Sequence, residues 1–119
     1  MRQRAQKVAQ LFKKEISQII HEELRDPRIG FITITHVEIT DDLRFAKIFY
    51  SILGTEKEKE ETAKALKSGE GFIRKLIGQR VRLKFIPEIR FVFDSSAEQS
   101  INIQKILDKI AEEKNETYR

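Results

Sequence analysis

Two periods of hydrophobic residues alternate along the chain. Between residues 4 and 24, Val8, Leu11, Phe12, Ile16, Ile19, Ile20 and Leu24 recur at helical spacing and form one apolar stripe. Asp26-Pro27 ends that helix, because the residue before a proline is pushed out of the α region. Residues 31–40 are rich in Thr, Ile and Val, and in residues 44–53 the apolar positions Ala46, Ile48, Tyr50 and Ile52 alternate; both stretches predict strands. Thr40-Asp41-Asp42-Leu43 between them suits an antiparallel hairpin. The apolar phase slips between Ile34 and Val37, which predicts a β-bulge or burial on both sides there.

The helical period returns after Leu53. Thr55 and Glu58 stand at capping-box spacing and open a helix to about Ser68. Gly69 and Gly71 interrupt it, and Phe72, Ile73, Leu76 and Ile77 resume the pattern up to Gly78. Two helices joined through a kink at Gly69-Glu70-Gly71 are therefore expected. From Val81 to Phe93 the odd positions are apolar and the even ones largely charged, which predicts one long strand with a dry face and a charged face. On this reading Phe72, Phe85, Phe91 and Phe93 belong to the core. Pro87 cannot donate to a ladder, so the strand lies at an edge or bends there. Ser95 and Glu98 again have cap spacing, and Ile103, Ile106, Leu107 and Ile110 define a C-terminal helix. This order predicts an α+β layer: a small sheet with helices on one face. Residues 1–111 are expected to form a single domain, and the polar residues 112–119 to fray.

Charge sharpens this picture. The chain of 119 residues carries a formal charge of only +4, but it is unevenly spread. Residues 72–90 hold Arg74, Lys75, Arg80, Arg82, Lys84 and Arg90 against the single acid Glu88, a local balance of +5. Residues 1–28, with Arg4, Lys7 and Arg28 among seven basic residues and four acids, contribute +3. Basic side chains come early on the first helix and acids late, the reverse of the order the helix dipole prefers. Concentrated positive surface points to a polyanionic partner. The competing explanation is an ordinary solvated surface with edge charges that block sheet-to-sheet pairing.

Catalytic chemistry is not legible. Cysteine is absent, which removes disulfides and thiolates and suits an intracellular protein. His21 and His36 lie on different elements without a zinc-ligand pattern. Gly69-Glu70-Gly71 lacks the rest of a dinucleotide fingerprint, and Asp94 reads as a turn residue. The apolar runs fall short of the ~18 residues a membrane helix needs. The basic N-terminus leads straight into an amphipathic helix containing Glu15, Glu22 and Glu23, unlike a signal peptide.

Taken together, several segments resemble the bacterial ribosome-binding factor A family, over about Arg4 to Ile110. They are Asp26-Pro27-Arg28, Thr40-Asp41-Asp42-Leu43, Ala46-Lys47 with Ser51, and above all Gly71-Phe72-Ile73-Arg74 running on through Gly78, Arg82-Leu83, Pro87-Glu88-Ile89, Phe91 and Asp94. The resemblance implies a type II KH-like domain, in the order helix, strand, strand, helix, kink, helix, strand, with a C-terminal helix added. RNA-binding KH domains clamp nucleotides with a GxxG loop between two helices. The family has an Ala-x-Gly junction there instead, and here Gly69 replaces its alanine.

The resemblance also implies a non-catalytic assembly factor that binds the small (30S) ribosomal subunit through its rRNA. It would assist late 16S rRNA processing and maturation, with importance in cold adaptation. It would work in the cytoplasm as a monomer, without cofactor, metal or membrane, and a ribosome-associated GTPase is a further expected partner. The expected RNA-binding residues are Arg82, Lys84 and Arg90, which alternation places on one strand face, then Arg74, Lys75, Arg80, Arg28, Arg4 and Lys7. The alternative is a protein–protein interaction module with a basic surface and no direct RNA role.

Overall fold

A computed structural model describes residues 2–96 and 105–111 of the chain. Helix α1 (Arg2–Glu22) buries Ala5, Phe12, Ile16, Ile19 and Ile20 and leaves Leu11 at the solvent edge of the stripe. Past its end, Glu23 N and Leu24 N both donate to Ile19 O. Asp26 then closes a turn: its carbonyl accepts from Ile29 N and its carboxylate from Arg28 N. Leu24 is thereby held half-buried against the core.

Strands β1 (Phe31–Ile39) and β2 (Phe45–Leu53) pair antiparallel. The register shifts between Ile34 and His36, leaving Thr35 as the extra residue, where the sequence pattern slips. Their turn is built from side chains as well as backbone. Thr40 Oγ1 donates to Asp42 Oδ1 at 2.6 Å, the same Asp42 oxygen accepts from Arg44 N, and Leu43 takes a left-handed φ of 61°. A left-handed leucine is strained, so the Asp42 and Thr40 bonds hold this turn against its own backbone preference.

Strand β3 (Glu88–Phe93) pairs parallel to β2, giving the order β1-β2-β3. A parallel neighbour requires a long crossover, and helix α2 (Glu56–Arg80) supplies it. Ile32, Ile34, Val37, Ala46, Ile48, Tyr50, Ile52 and Ile89 face the helices and form one core with Phe12, Ile16, Leu66, Ile73 and Ile77. The opposite sheet face, with the cross-strand pair Phe31 and Leu53, is open. The α+β layer with helices on one face is as the pattern predicts.

Two expectations need correction. The first is the pair of helices around the glycines. Thr55 and Glu58 do form the capping box, but the helix they start continues unbroken to Arg80. Gly69 and Gly71 lie inside it, and neither has a positive φ. Gly69 is buried for a packing reason: a Cβ there would stand 3.2 Å from Leu24 Cδ1. Gly71 faces open space.

The second is the long strand. Residues 81–87 are irregular, and β3 starts only at Glu88. Pro87 has no N–H for a ladder and is buried; the guanidinium of Arg74 takes the carbonyl of Pro87 (Nε, 3.2 Å) and that of Ile86 (Nη2, 2.8 Å). With those carbonyls turned to α2, the segment wraps the end of the core through Val81, Leu83 and Ile86 instead of joining the sheet. Arg82 and Lys84 therefore do not share a strand face with Arg90.

Of the C-terminal helix, residues 105–111 are described, helical and exposed, including Ile106, Leu107 and Ile110. Glu98, Ile103 and the tail 112–119 fall outside the described residues.

Candidate nucleic-acid interface

The basic residues divide by what they already hold. Arg74 is committed to the backbone of Ile86 and Pro87. Arg80 reaches back to α1 and lies between Glu15 (3.4 Å) and Glu23 (3.5 Å). Arg90 pairs with Glu70 at 3.3 Å, so the acid at the middle of the two glycines is itself engaged. Arg28 forms a fork with Asp26, Nη2 to Oδ2 at 2.7 Å and Nε to both oxygens. That bond from Arg28 holds the Asp26 carboxyl well below its ordinary value, to about 2. Such partners reduce the charge available to a polyanion, although exposed pairs are weak, about 0–1 kcal/mol, and can reopen.

Arg4, Lys7, Lys75, Arg82 and Lys84 are exposed, and among the described residues none is in an ion pair. Two of them converge. Arg4 from the first turn of α1 and Lys84 from the irregular segment line one cleft of about 560 Å³ with Arg44, Asp42, Leu43, Leu83 and Phe85. Arg44 is a cation that sequence reasoning passed over, because it stands alone between the two basic stretches. Asp42 beside it is held below the ordinary carboxylate value, first by the Thr40 hydroxyl and then by the Arg44 N–H. Arg44 Nε also lies 3.9 Å from Asp42 Oδ2, a long and exposed ion pair, so three cations and one carboxylate surround the opening with a net charge of about +2.

Phe85 corrects a third expectation. It is 75% exposed, with Lys84 Nζ 5.7 Å from its ring centre. Phe72 (45%) and Phe93 (37%) are exposed as well, and only Phe91 is half-buried against the core. The signal that marks Phe85 in the sequence is Pro87: an alternation read backwards through a proline does not carry its phase. Elsewhere, His36 lies 3.4 Å from Glu38 and against the Phe49 ring. Among the described residues no group of His, Asp or Glu is placed to hold a metal, and no helix is long and apolar enough to cross a membrane.

Residues 4–107 match the family model described as Ribosome-binding factor A. The chain belongs to the ribosome-binding factor A family. Ribosome-binding factor A of Halothermothrix orenii is 52% identical over 112 residues, covering 94% of this chain and 92% of that protein. The solution structure of a Thermotoga maritima protein described as a ribosome binding factor A superposes with a TM-score of 0.67 at 36% identity, covering 75% of this chain and 85% of the other. A Thermus thermophilus ribosome binding factor A homology model, fitted into a cryo-EM map of a 30S complex, superposes with a TM-score of 0.62. It covers 72% of this chain and 90% of that one, and at 22% identity the likeness shows the fold. A ribosome-binding factor A fold here thus carries a basic cleft at the end of the sheet where α1 begins, built from segments far apart in sequence.

Proposed function

We propose that this chain docks on the small ribosomal subunit through rRNA phosphates and assists late 16S rRNA processing without catalysing a reaction itself, with importance in the cold. The observation that carries the reading is the convergence of Arg4, Arg44 and Lys84 on one cleft, where Arg4 and Lys84 are in no ion pair among the described residues and Arg44 is only loosely paired with Asp42 at 3.9 Å. Family membership and the 30S complex of the Thermus protein support the choice of partner. Phosphate contacts from a rigid surface fix position without reading sequence, which suits recognition of folded RNA by shape. Action as a cytoplasmic monomer, with release by a ribosome-associated GTPase, belongs to the same reading. Arg82, Lys7 and Lys75 add long-range attraction, while Arg74, Arg80, Arg28 and Arg90 serve the fold first.

Co-sedimentation with separated small and large subunits across a salt series tests this. Selective pelleting with the small subunit is expected, with a log–log salt slope of about −3 for three to four phosphates. Equal pelleting with both subunits, or none with either, overturns the proposal. The double reversal Arg82→Glu with Lys84→Glu should abolish pelleting. A second reading, contact with a protein partner, is favoured by Phe31 and Leu53, each 79% exposed on the open sheet face. That reading predicts weak salt dependence and no binding to protein-free 16S rRNA.

A further inference from the structure

We infer that Phe85 is a stacking platform for one unpaired RNA base, with Arg4, Arg44 and Lys84 taking the flanking phosphates. The inference rests on the RNA-docking reading above and names the ligand of the same cleft.

Phosphate docking alone needs cations but no aromatic ring. The structure sets a ring that is three-quarters exposed among three cations, in a cleft lined by Leu43 and Leu83. An exposed aromatic face beside a positive groove is the arrangement that binds single strands, because every unstacked base offers a π-face. A duplex hides those faces within its own stack, so only a looped-out or single-stranded base can use the ring. The cleft volume, about 560 Å³, lies within the ~300–1,000 Å³ common for ligand sites.

Two backbone features hold the cleft in shape. Pro87 and the Arg74 bonds to Ile86 and Pro87 carry Phe85 out of the sheet. The strained turn at Leu43 fixes Arg44 next to Asp42. Strain of that kind persists where its surroundings over-determine it, often at binding sites. The Asp42 carboxylate repels phosphate but accepts hydrogen bonds from base amino groups, so a base edge is the compatible neighbour.

The test uses the full chain and two fluorescein-labelled RNAs of roughly ten nucleotides, one an unstructured single strand and one the same strand annealed to its complement as a blunt duplex. Fluorescence anisotropy should show tighter binding to the unstructured strand. Phe85→Ala should weaken that binding roughly 5- to 150-fold while leaving the salt slope unchanged, since stacking releases no counterions. Arg44→Ala should make the slope shallower by about 0.7. Phe85→Trp should keep the affinity, and its indole, the sole tryptophan in the chain, should be quenched by the bound base. The exposed position leaves folding intact in both variants, which urea unfolding checks. Equal binding of the duplex, or Phe85→Ala binding like the wild type, overturns the inference. Small-subunit pelleting separates the two proposals. If Phe85→Ala pellets like the wild type, docking stands and the platform falls. If the wild type ignores subunits yet binds the strand through Phe85, docking falls and the platform stands.

Discussion

The Thr35 hydroxyl donates to Asp94 Oδ2 at 2.7 Å, joining the bulge of the first strand to the exit of the last across the sheet. Asp94 also accepts from Ser96 N at 2.9 Å, so its carboxylate closes the turn after β3 as well. It is the turn residue that the sequence pattern suggests, with a long-range partner added.

These bonds set a pH dependence. The Ser96 and Thr35 donors hold the Asp94 carboxyl down at about 2. A carboxyl lowered on folding adds stability that is complete above its unfolded value, near 4, and is lost as pH falls toward 2. Acid unfolding of Asp94→Asn should therefore be flatter than wild type between about pH 4 and 2. Parallel curves for the two proteins would show that these bonds do not favour the charged form.

The two glycines of α2 should respond differently to alanine. Gly71 faces open space without a positive φ, so Gly71→Ala should stabilise by about 0.5–1 kcal/mol in urea unfolding. Gly69→Ala gains the same propensity but pushes on Leu24 Cδ1 at 3.2 Å, and its gain should be smaller or absent. Equal gains would mean that Leu24 yields freely.

Thr62 is fully buried; its hydroxyl donates to Arg28 O at 3.1 Å and accepts from Gly30 N at 3.3 Å. It pins the Pro27–Gly30 turn onto α2, a role that its polar neighbours in the sequence conceal. Thr62→Val keeps the shape but strands both backbone groups, and should cost about 1–3 kcal/mol by urea titration. An unchanged midpoint would mean that water replaces the hydroxyl.

Arg74 and Arg82, eight positions apart, should separate structural from binding roles. Arg74→Ala removes two bonds to carbonyls and should lower stability by on the order of 1–2 kcal/mol, lessened by water access. Arg82→Ala should leave stability within about 0.5 kcal/mol while weakening small-subunit pelleting. Loss of stability in Arg82→Ala with pelleting intact would reverse these assignments.

What the sequence by itself determined follows from local periods. Helical and alternating apolar positions mark α1, β1, β2 and the start of α2, and the phase slip after Ile34 marks the bulge, because burial of one face imposes its period on each element separately. Charge counting likewise locates the basic stretches. Tertiary structure decided what depends on partners distant in the chain. Gly69 sits within a helix because Leu24 packs on it, and β3 starts late because Arg74 captures the carbonyls beside Pro87. Arg80 is paired because folding brings Glu15 and Glu23 beside it. The cleft of Arg4, Arg44, Lys84 and Phe85 joins three segments that no spacing rule connects. A residue's period shows which face it lies on, but only the packed neighbours show whether that face is covered, paired or left for a ligand.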